Sequence, residues 1–367
     1  MQPTDFTPRK KSSAIVKVRA FLAKNPRRSA IYGLVALLLI VLVGVVIAYA
    51  VAPAKSPSSL KTTALKKPDT VKYYSPLTGK QVADKAATKQ AVTAIMIENS
   101  PDARPQSGLK EAGIVYEAIA EGGITRFLAL YQEDKPQLIG PVRSVRMYYV
   151  DWLAPYNASV AHIGGSAAAL KEVRNGSYRD IDQFFNSGSY WRATDRYAPH
   201  NVYTNFERLD ALNATKGYNE SSFTSWPRQD GKAAKAPDAS TVTINFSSAM
   251  FNTQYAYDPS TNTYQRNIGG QAALDREQGQ IAPNVVIAMK VGMSLVMEDG
   301  YRESITTTGS GEAIIFQNGT ATAATWHKAD RSSSIKFTGA DGKEIPLNRG
   351  QTWVAAVPDG SGSVSWQ

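Results

Sequence analysis

Between Ala30 and Ala52 the chain reads AIYGLVALLLIVLVGVVIAYAVA, 23 residues without a charged side chain. A helix needs about 20 apolar residues to cross a bilayer core. This stretch has no polar face to turn toward water, so the sequence predicts a transmembrane helix over 30–52. Eight basic residues stand before it in 1–28 against the single acid Asp5. That bias places residues 1–29, a basic tail, in the cytoplasm and the rest of the chain outside the cell membrane. Ala48-Tyr49-Ala50 also has the small-x-small pattern of a signal-peptide cleavage site. Cleavable apolar cores run only about 7–15 residues, which favours an uncleaved single-pass anchor.

The formal charge of +10 suggests nucleic acid until it is placed along the chain. Residues 1–28 carry +7 and the Pro/Ser/Lys linker at 53–72 carries +4, leaving −1 for residues 73–367. The body is nearly neutral, which argues against a nucleic-acid partner. The linker composition is that of a solvated, semi-extended spacer. Cysteine is absent. Disulfides, zinc–thiolate sites, iron–sulfur clusters and a thiol nucleophile are thereby excluded, as is a lipid-modified cysteine.

From Tyr73 the composition becomes globular. Val92–Glu98, Ile114–Glu121, Ile124–Gln132 and Ser159–Ile163 read as strands, and Ser144–Trp152, Ser166–Val173 and Asn205–Ala211 as helices. Residues 73–226 form an N-terminal α/β part and 227–240 a connecting segment. Residues 241–367 hold short strands punctuated by Gly, Asn, Asp and Pro, a mainly β part. The expected class is α/β in the mixed α+β sense: layered β-sheets with helices, behind one transmembrane helix.

Charged residues inside apolar runs mark the candidate site, because burying them is costly unless they pair. Ile114–Glu121 and Ile124–Gln132 are joined by Gly122-Gly123 alone, the pattern of a two-residue β-hairpin. A regular register sets Glu121 opposite Ile124, Ile119 opposite Arg126 and Glu117 opposite Leu128. Arg126 then lies between Glu117 and Glu121 on one face. Such a triad either fixes the sheet or lines a pocket where Glu121 or Glu117 serves as acid or base.

Arg143 and Arg146 follow Gly140-Pro141 three residues apart. On a helix they share a face near its positive end and suit a carboxylate or phosphate; the other reading is pairing with acids such as Asp151. In HIGGSAAAL a glycine turn leads into a helix with Ser166 as cap, a potential anion cradle. Ala168 replaces the last glycine of a nucleophile elbow, and no His–Asp partners can be assigned. His200 and Asn201 follow Ala198-Pro199, a bond able to adopt the cis form. Three histidines without ligand spacing point to no metal, and no cofactor motif is present. Trp326, His327, Arg349 and Trp353 mark two late motifs in which the tryptophans suit a core or an interface.

The phrases MIENSPDARPQSGL, VYEAIAEGGITRFLALY, IGPVRSVR, HIGGS, APHNVYTN and GQTWVAAVP resemble, in this order, the YerB-like family of bacterial envelope proteins. The likeness runs from about Tyr73 to Pro358. It implies an α/β fold of layered sheets with helices, attached outside the cell membrane. It carries no assigned activity, so no catalytic residue transfers. The matching polar positions are Glu98, Asn99, Arg104, Gln106 and Ser107, then Glu117, Glu121, Arg126, Arg143 and Arg146, then His162, Ser166, His200 and Asn201. Members are often lipoproteins with a lipobox cysteine, and here the apolar helix takes its place. Two functions stay open. A tethered domain would bind a cell-wall glycan or an envelope protein through Glu98, Asn99, Arg104, Arg126, Arg143, Arg146, Ser166, His200 and Asn201. An envelope hydrolase or transferase would use Glu121, Glu117, His162 and His200.

Overall fold

Why the chain from Tyr73 onward folds as layers follows from which strands are apolar on both sides. Thr93–Glu98 and Thr352–Pro358 are buried at every position, the pattern of strands covered on both faces. Thr253–Asp258 and Thr263–Ile268 alternate buried with more exposed positions, the pattern of a sheet with one face in water.

The computed structural model describes residues 26–51, 71–295 and 303–367. The basic tail before Pro26 and the linker up to Thr70 lie outside the described residues. Helix α1 spans Pro26–Val51, about 39 Å at 1.5 Å per residue. Its stretch Ala30–Ile47 is long and apolar enough to cross a membrane, and none of it is buried by protein. Residues 71–367 are a separate unit.

In that unit the principal strands are β1 (Thr93–Glu98), β2 (Ile114–Glu121), β3 (Ile124–Tyr131), β4 (Ser159–Ala161) and β5 (Arg179–Asp180). They continue as β6 (Thr241–Asn245), β7 (Thr253–Asp258), β8 (Thr263–Ile268), β9 (Gln271–Ala272) and β10 (Val285–Val291). The last are β11 (Gly309–Gln317), β12 (Thr320–Lys328), β13 (Lys336–Thr338), β14 (Thr352–Pro358) and β15 (Ser363–Trp366). Three helices accompany them: α2 (Met147–Leu153), α3 (Ala167–Val173) and α4 (Phe206–Thr215).

Ten strands form one mixed sheet in the order β13-β12-β11-β10-β14-β2-β3-β1-β4-β5. Within it β10, β14, β2, β1, β4 and β5 run the same way, with β3 and β11 antiparallel to their neighbours. On one face lie α2 and α3, whose Tyr148, Tyr149, Trp152, Ala169 and Val173 pack on Met96, Tyr116, Leu128 and Val354. On the other lies a five-stranded antiparallel sheet, β9-β8-β7-β6-β15. Its Val242, Ile244, Tyr255 and Tyr264 meet Ile97, Val115, Phe127 and Trp353. The order of layers is helix, large sheet, small sheet.

β14 is the hinge of this arrangement. It pairs in parallel with β10 on one side and β2 on the other. The mainly β part therefore donates a strand to the centre of the sheet that the α/β part begins. Trp353 is fully buried and meets Phe127 edge-on at 5.3 Å. Trp226, just before the connecting segment, is also buried and donates its indole N–H to Ile335 O at 2.6 Å. Within the segment expected as a connector, Ala239 is buried in the core between the two sheets.

Truncating Trp353 to Ala should lower the unfolding free energy by about 3–5 kcal/mol. Urea denaturation followed by far-UV and near-UV circular dichroism should show one shifted transition in both signals, because the two sequence parts share one sheet.

Candidate functional site

In a sheet of parallel strands the side chains that follow the carboxyl ends gather along one edge, where α/β proteins commonly hold ligands. Here those ends are Glu98 of β1, Glu121 of β2, Ala161 before His162 of β4, and Asp180 of β5. Most of the charged residues singled out in the sequence stand on this edge, but not in the expected pairing.

The correction comes from one residue. Gly122 and Gly123 form the turn with φ of 55° and 77°, the left-handed values a type I′ hairpin requires. Glu121 faces Ile124 as expected, but Ile119 then faces Thr125, leaving Ala120 as a bulge. Arg126 is thus opposite Ala118, and Glu117 opposite Phe127. A one-residue slip in a strand of period two turns every preceding side chain to the other face. Glu117 and Glu121 are separated by the sheet, and the expected Glu117–Arg126–Glu121 triad does not exist.

On the helix-covered face, Arg126 Nη2 donates to Glu121 Oε2 at 2.9 Å and Nη1 to Ser144 O at 2.8 Å. Arg146 pairs with Glu121 Oε1 through Nε and Nη2 and donates to Val145 O at 2.7 Å. Burial alone would raise the Glu121 carboxyl, yet Arg126 and Arg146 outweigh it and hold it below the usual value. Burial and the adjacent Arg126 hold the Arg146 guanidinium below its ordinary value. Tyr148 and Tyr149 lock the bulge from above. The Tyr148 hydroxyl donates to Ile119 O at 2.8 Å, and that of Tyr149 lies 3.1 Å from Ala118 O and 2.6 Å from Arg126 O.

The expected helix over Ser144–Trp152 begins only at Met147. Before it the backbone is extended: Val142 bridges to Ile97, Arg143 N–H donates to Met96 O, and Val145 bridges to Gly165. Arg146 sits at the N-cap with φ −126° and ψ 158°. The two arginines therefore do not share a helix face, because sheet-edge hydrogen bonds claim their backbone first. Asp151 pairs with Arg331 at 2.7 Å and not with either of them.

Beside this group, Glu98 is buried and gathers three neighbours on Oε1. Ser100 Oγ donates at 2.9 Å, His200 Nδ1 lies at 3.0 Å and Arg143 Nε at 3.4 Å. Glu98 Oε2 is buried without a hydrogen-bond partner among the described residues. Arg143 is held only through Nε, and its two terminal nitrogens have no hydrogen-bond partner among the described residues. Its side chain keeps 27% of its exposure. His200 Nε2 points outward, 4.0 Å from the exposed Asp102. Asn201 holds the loop that carries His200, accepting from Arg192 at 2.8 Å and donating to Ala193 O at 3.2 Å. The Ala198–Pro199 bond is cis.

Other expected residues fall outside this hollow. His162 is wholly buried, with Nδ1 donating to Gly164 O at 2.8 Å and Nε2 3.0 Å from Asp180 Oδ1. Sealed in this way, it has no access to a substrate and does not fit the catalytic role. Ser166 caps α3, accepting from Ala169 N at 3.4 Å. α3 has seven residues, and Ser166 acts as its cap, not as part of the hollow.

Glu117 is equally sealed, between the two sheets. Both its oxygens accept from Arg266 Nη2 at 3.0 Å, with Thr125 and Trp353 donating as well. The buried Asn99 and Gln106 and the half-buried Arg104 extend this network outward: Arg104 donates to Asn99 and to Met250 O, and Gln106 to Asn99. They tie the loop after β1 to the small sheet. Arg266 was missed in the sequence, yet a signal existed: it alternates with Tyr264 and Ile268, the inward positions of β8.

Three large aromatic residues are exposed on the neighbouring loops: Phe184 at 65%, Phe185 at 72% and Tyr197 at 91%. Phe184 lies against Gly164, whose φ of 65° and missing Cβ leave it that space. Tyr197 O accepts from His200 N–H at 2.9 Å.

Two substitutions separate the faces. Glu121→Gln should cost about 2 kcal/mol at pH 7, since it strips charge from two partly buried arginine contacts. Because the folded carboxyl titrates below its unfolded value near 4.3, its stabilisation is complete above that pH and fades as pH falls through the folded value. The variant should lose that slope in acid denaturation. Glu117→Gln should cost about 3–5 kcal/mol by stranding Arg266, and adding Arg266→Met should recover most of it.

Comparison with known proteins places this geometry. Residues 77–219 match the N-terminal domain and residues 242–354 the C-terminal domain of the family described as protein of unknown function DUF3048. A relative from Bacillus subtilis (strain 168), named YerB and described as a candidate lipoprotein, is 33% identical over 299 residues, covering 80% of this chain and 88% of its own. The crystal structure of YerB protein from Bacillus subtilis superposes with a TM-score of 0.71 at 30% identity, covering 80% of this chain and 99% of that one. The mixed α+β architecture, the two matched halves and the identity over most of both chains agree, and the chain belongs to the DUF3048, or YerB-like, family.

Proposed function

We propose that this protein is a membrane-tethered receptor of the cell envelope whose outer domain binds an anionic glycan at the carboxyl edge of the large sheet. The observation that carries this reading is Arg143. Glu98 holds its Nε while the two terminal nitrogens stay unfilled and partly open. A planar guanidinium in that state is suited to a carboxylate or phosphate, which it can grip through two parallel hydrogen bonds. The cluster carries Arg126, Arg143 and Arg146 against Glu98 and Glu121, so its balance is positive. The exposed rings of Phe184, Phe185 and Tyr197 offer apolar faces of the kind that stack on sugars. The positively charged tail before α1 supports an orientation with the N-terminus in the cytoplasm.

A second reading rests on His200. A buried carboxylate at Nδ1 with Nε2 turned outward is the arrangement of an oriented general base, which suits a hydrolase or transferase on the same polymer. Ser100 does not serve as its nucleophile, because it shares the Nδ1 side with Glu98. Glu117 and His162 drop out of this alternative by burial.

The full chain in detergent micelles should bind carboxylate-bearing glycan fragments or polyol-phosphate polymer and ignore the uncharged glycan of equal length. Arg143→Ala should weaken that binding at least about tenfold without changing the circular dichroism spectrum. Equal affinity in the variant, or no preference for charge, would remove the reading. Product formation that His200→Gln abolishes, with binding intact, would select the enzyme.

A further inference from the structure

The opposite edge of the large sheet holds a cavity of about 770 Å³, within the size range of small-molecule sites. It lies at the amino ends of the parallel strands. Ser221, on its wall, accepts from Val92 N–H just before β1 at 2.9 Å. Arg228, also on its wall, donates to Thr352 Oγ1 at the start of β14 at 2.9 Å, to Asn348 O at 3.1 Å and to Leu77 O at 2.5 Å. None of the charged edge described above lines it.

Arg228 sets this cavity apart. Among the described residues no carboxylate lies within ion-pair distance of it, and its Nε is buried without a hydrogen-bond partner. Guanidinium stays cationic in proteins, so the charge must be answered by something other than loss of a proton. Burial lowers its value to about 10, a fall that the Tyr156 and Tyr116 hydroxyls and the more distant Glu133 carboxylate offset only in part. Arg349 stands beside it, 4.1 Å from the Tyr74 ring and bonded to Asp230 at 2.7 Å and Gly79 O at 2.7 Å. Lys89 adds a third cation to the wall, against Glu220 alone. The remaining lining includes Trp226, Phe223 and Tyr74 and four serines. A half-buried guanidinium with no ion-pair partner among the described residues, 5.6 Å from the centre of the Trp226 ring on a wall of aromatic rings and hydroxyls, matches one chemistry.

We propose that this cavity is a second binding site, which takes a small amphipathic anion. Its carboxylate or phosphate monoester sits on Arg228, and its ring lies against the wall of Trp226, Phe223 and Tyr74. The site is independent of the carboxyl-edge hollow and uses none of its residues.

The test uses the full chain in detergent micelles, with phenyl phosphate and benzoate as probes and inorganic phosphate and phenol as their halves. Saturation-transfer NMR with calorimetry should show at least one whole probe binding with Kd of about 1 mM or tighter, and each half about tenfold more weakly. The tighter of the two whole probes identifies the head group. Arg228→Met should weaken the probe at least about tenfold, and Arg143→Ala should leave it unchanged. Tyr74→Ala, at a partly exposed ring, guards against loss of fold: it should weaken the whole probe and spare inorganic phosphate. Binding of neither probe, or equal binding in Arg228→Met and Tyr74→Ala, overturns the proposal. Loss of probe binding in Arg143→Ala also overturns it, by placing the probe at the other edge.

Discussion

A sheet covered on both faces has no water to offer a charged side chain, and this constraint governs the molecule. β2 carries two glutamates four residues apart, with helices above it and a second sheet below. A regular strand would send both to one face, where Arg126 alone would have to answer them. The bulge at Ala120 assigns one glutamate to each face and so to its own arginines: Glu121 to Arg126 and Arg146, Glu117 to Arg266. Each buried ion then has the partners without which its desolvation would be prohibitive. The carbonyls that the bulge leaves out of the ladder are taken by Tyr148 and Tyr149. The same step that satisfies the charges fixes α2 over the sheet and brings Arg143 beside Glu98.

Much of the fold was legible because it is written in periods and turn residues. The apolar run of α1, the Gly122-Gly123 turn, the fully apolar strands and the cap at Ser166 all read directly from residue type. What could not be read was whatever depends on a partner distant in sequence. A bulge is one inserted residue that no local pattern announces, because Ile119, Ala120 and Glu121 suit a regular strand equally well. The partners that make it favourable, Tyr148, Tyr149 and Arg266, are 29 residues or more away. The extended course of Arg143 and Arg146 was hidden for the same reason, since Val145, Tyr148, Tyr149 and Trp152 do carry a helical spacing. That spacing holds only from Met147 onward, where the sheet edge no longer competes for the backbone.

The candidate site divided along the same line. Reading charge in apolar surroundings found the residues of the carboxyl edge: Glu98, Glu121, Arg126, Arg143, Arg146 and His200. It could not tell them from Glu117, Asn99 and His162, which are as polar but sealed. Burial is a property of the assembled layers, and residue type alone does not reveal it. Arg228 escaped notice for the opposite reason. It lies in a stretch with the composition of a linker, where a single arginine draws no attention, and only its packed surroundings make it unusual.

The position of β14 has a bearing on how such a chain is made. A chain is synthesised from its N-terminus, and the strand that occupies the middle of the large sheet begins at Thr352, long after β2 ends at Glu121 and β10 at Val291. Until those residues emerge, β2 and β10 have nothing between them, and each presents an open, apolar strand edge. Such edges are templates for pairing with other chains. The large sheet thus waits on a strand made late, a zipper that closes from its centre. Between the synthesis of β2 and that of β14 the nascent chain carries an unpaired edge at what becomes the middle of its sheet.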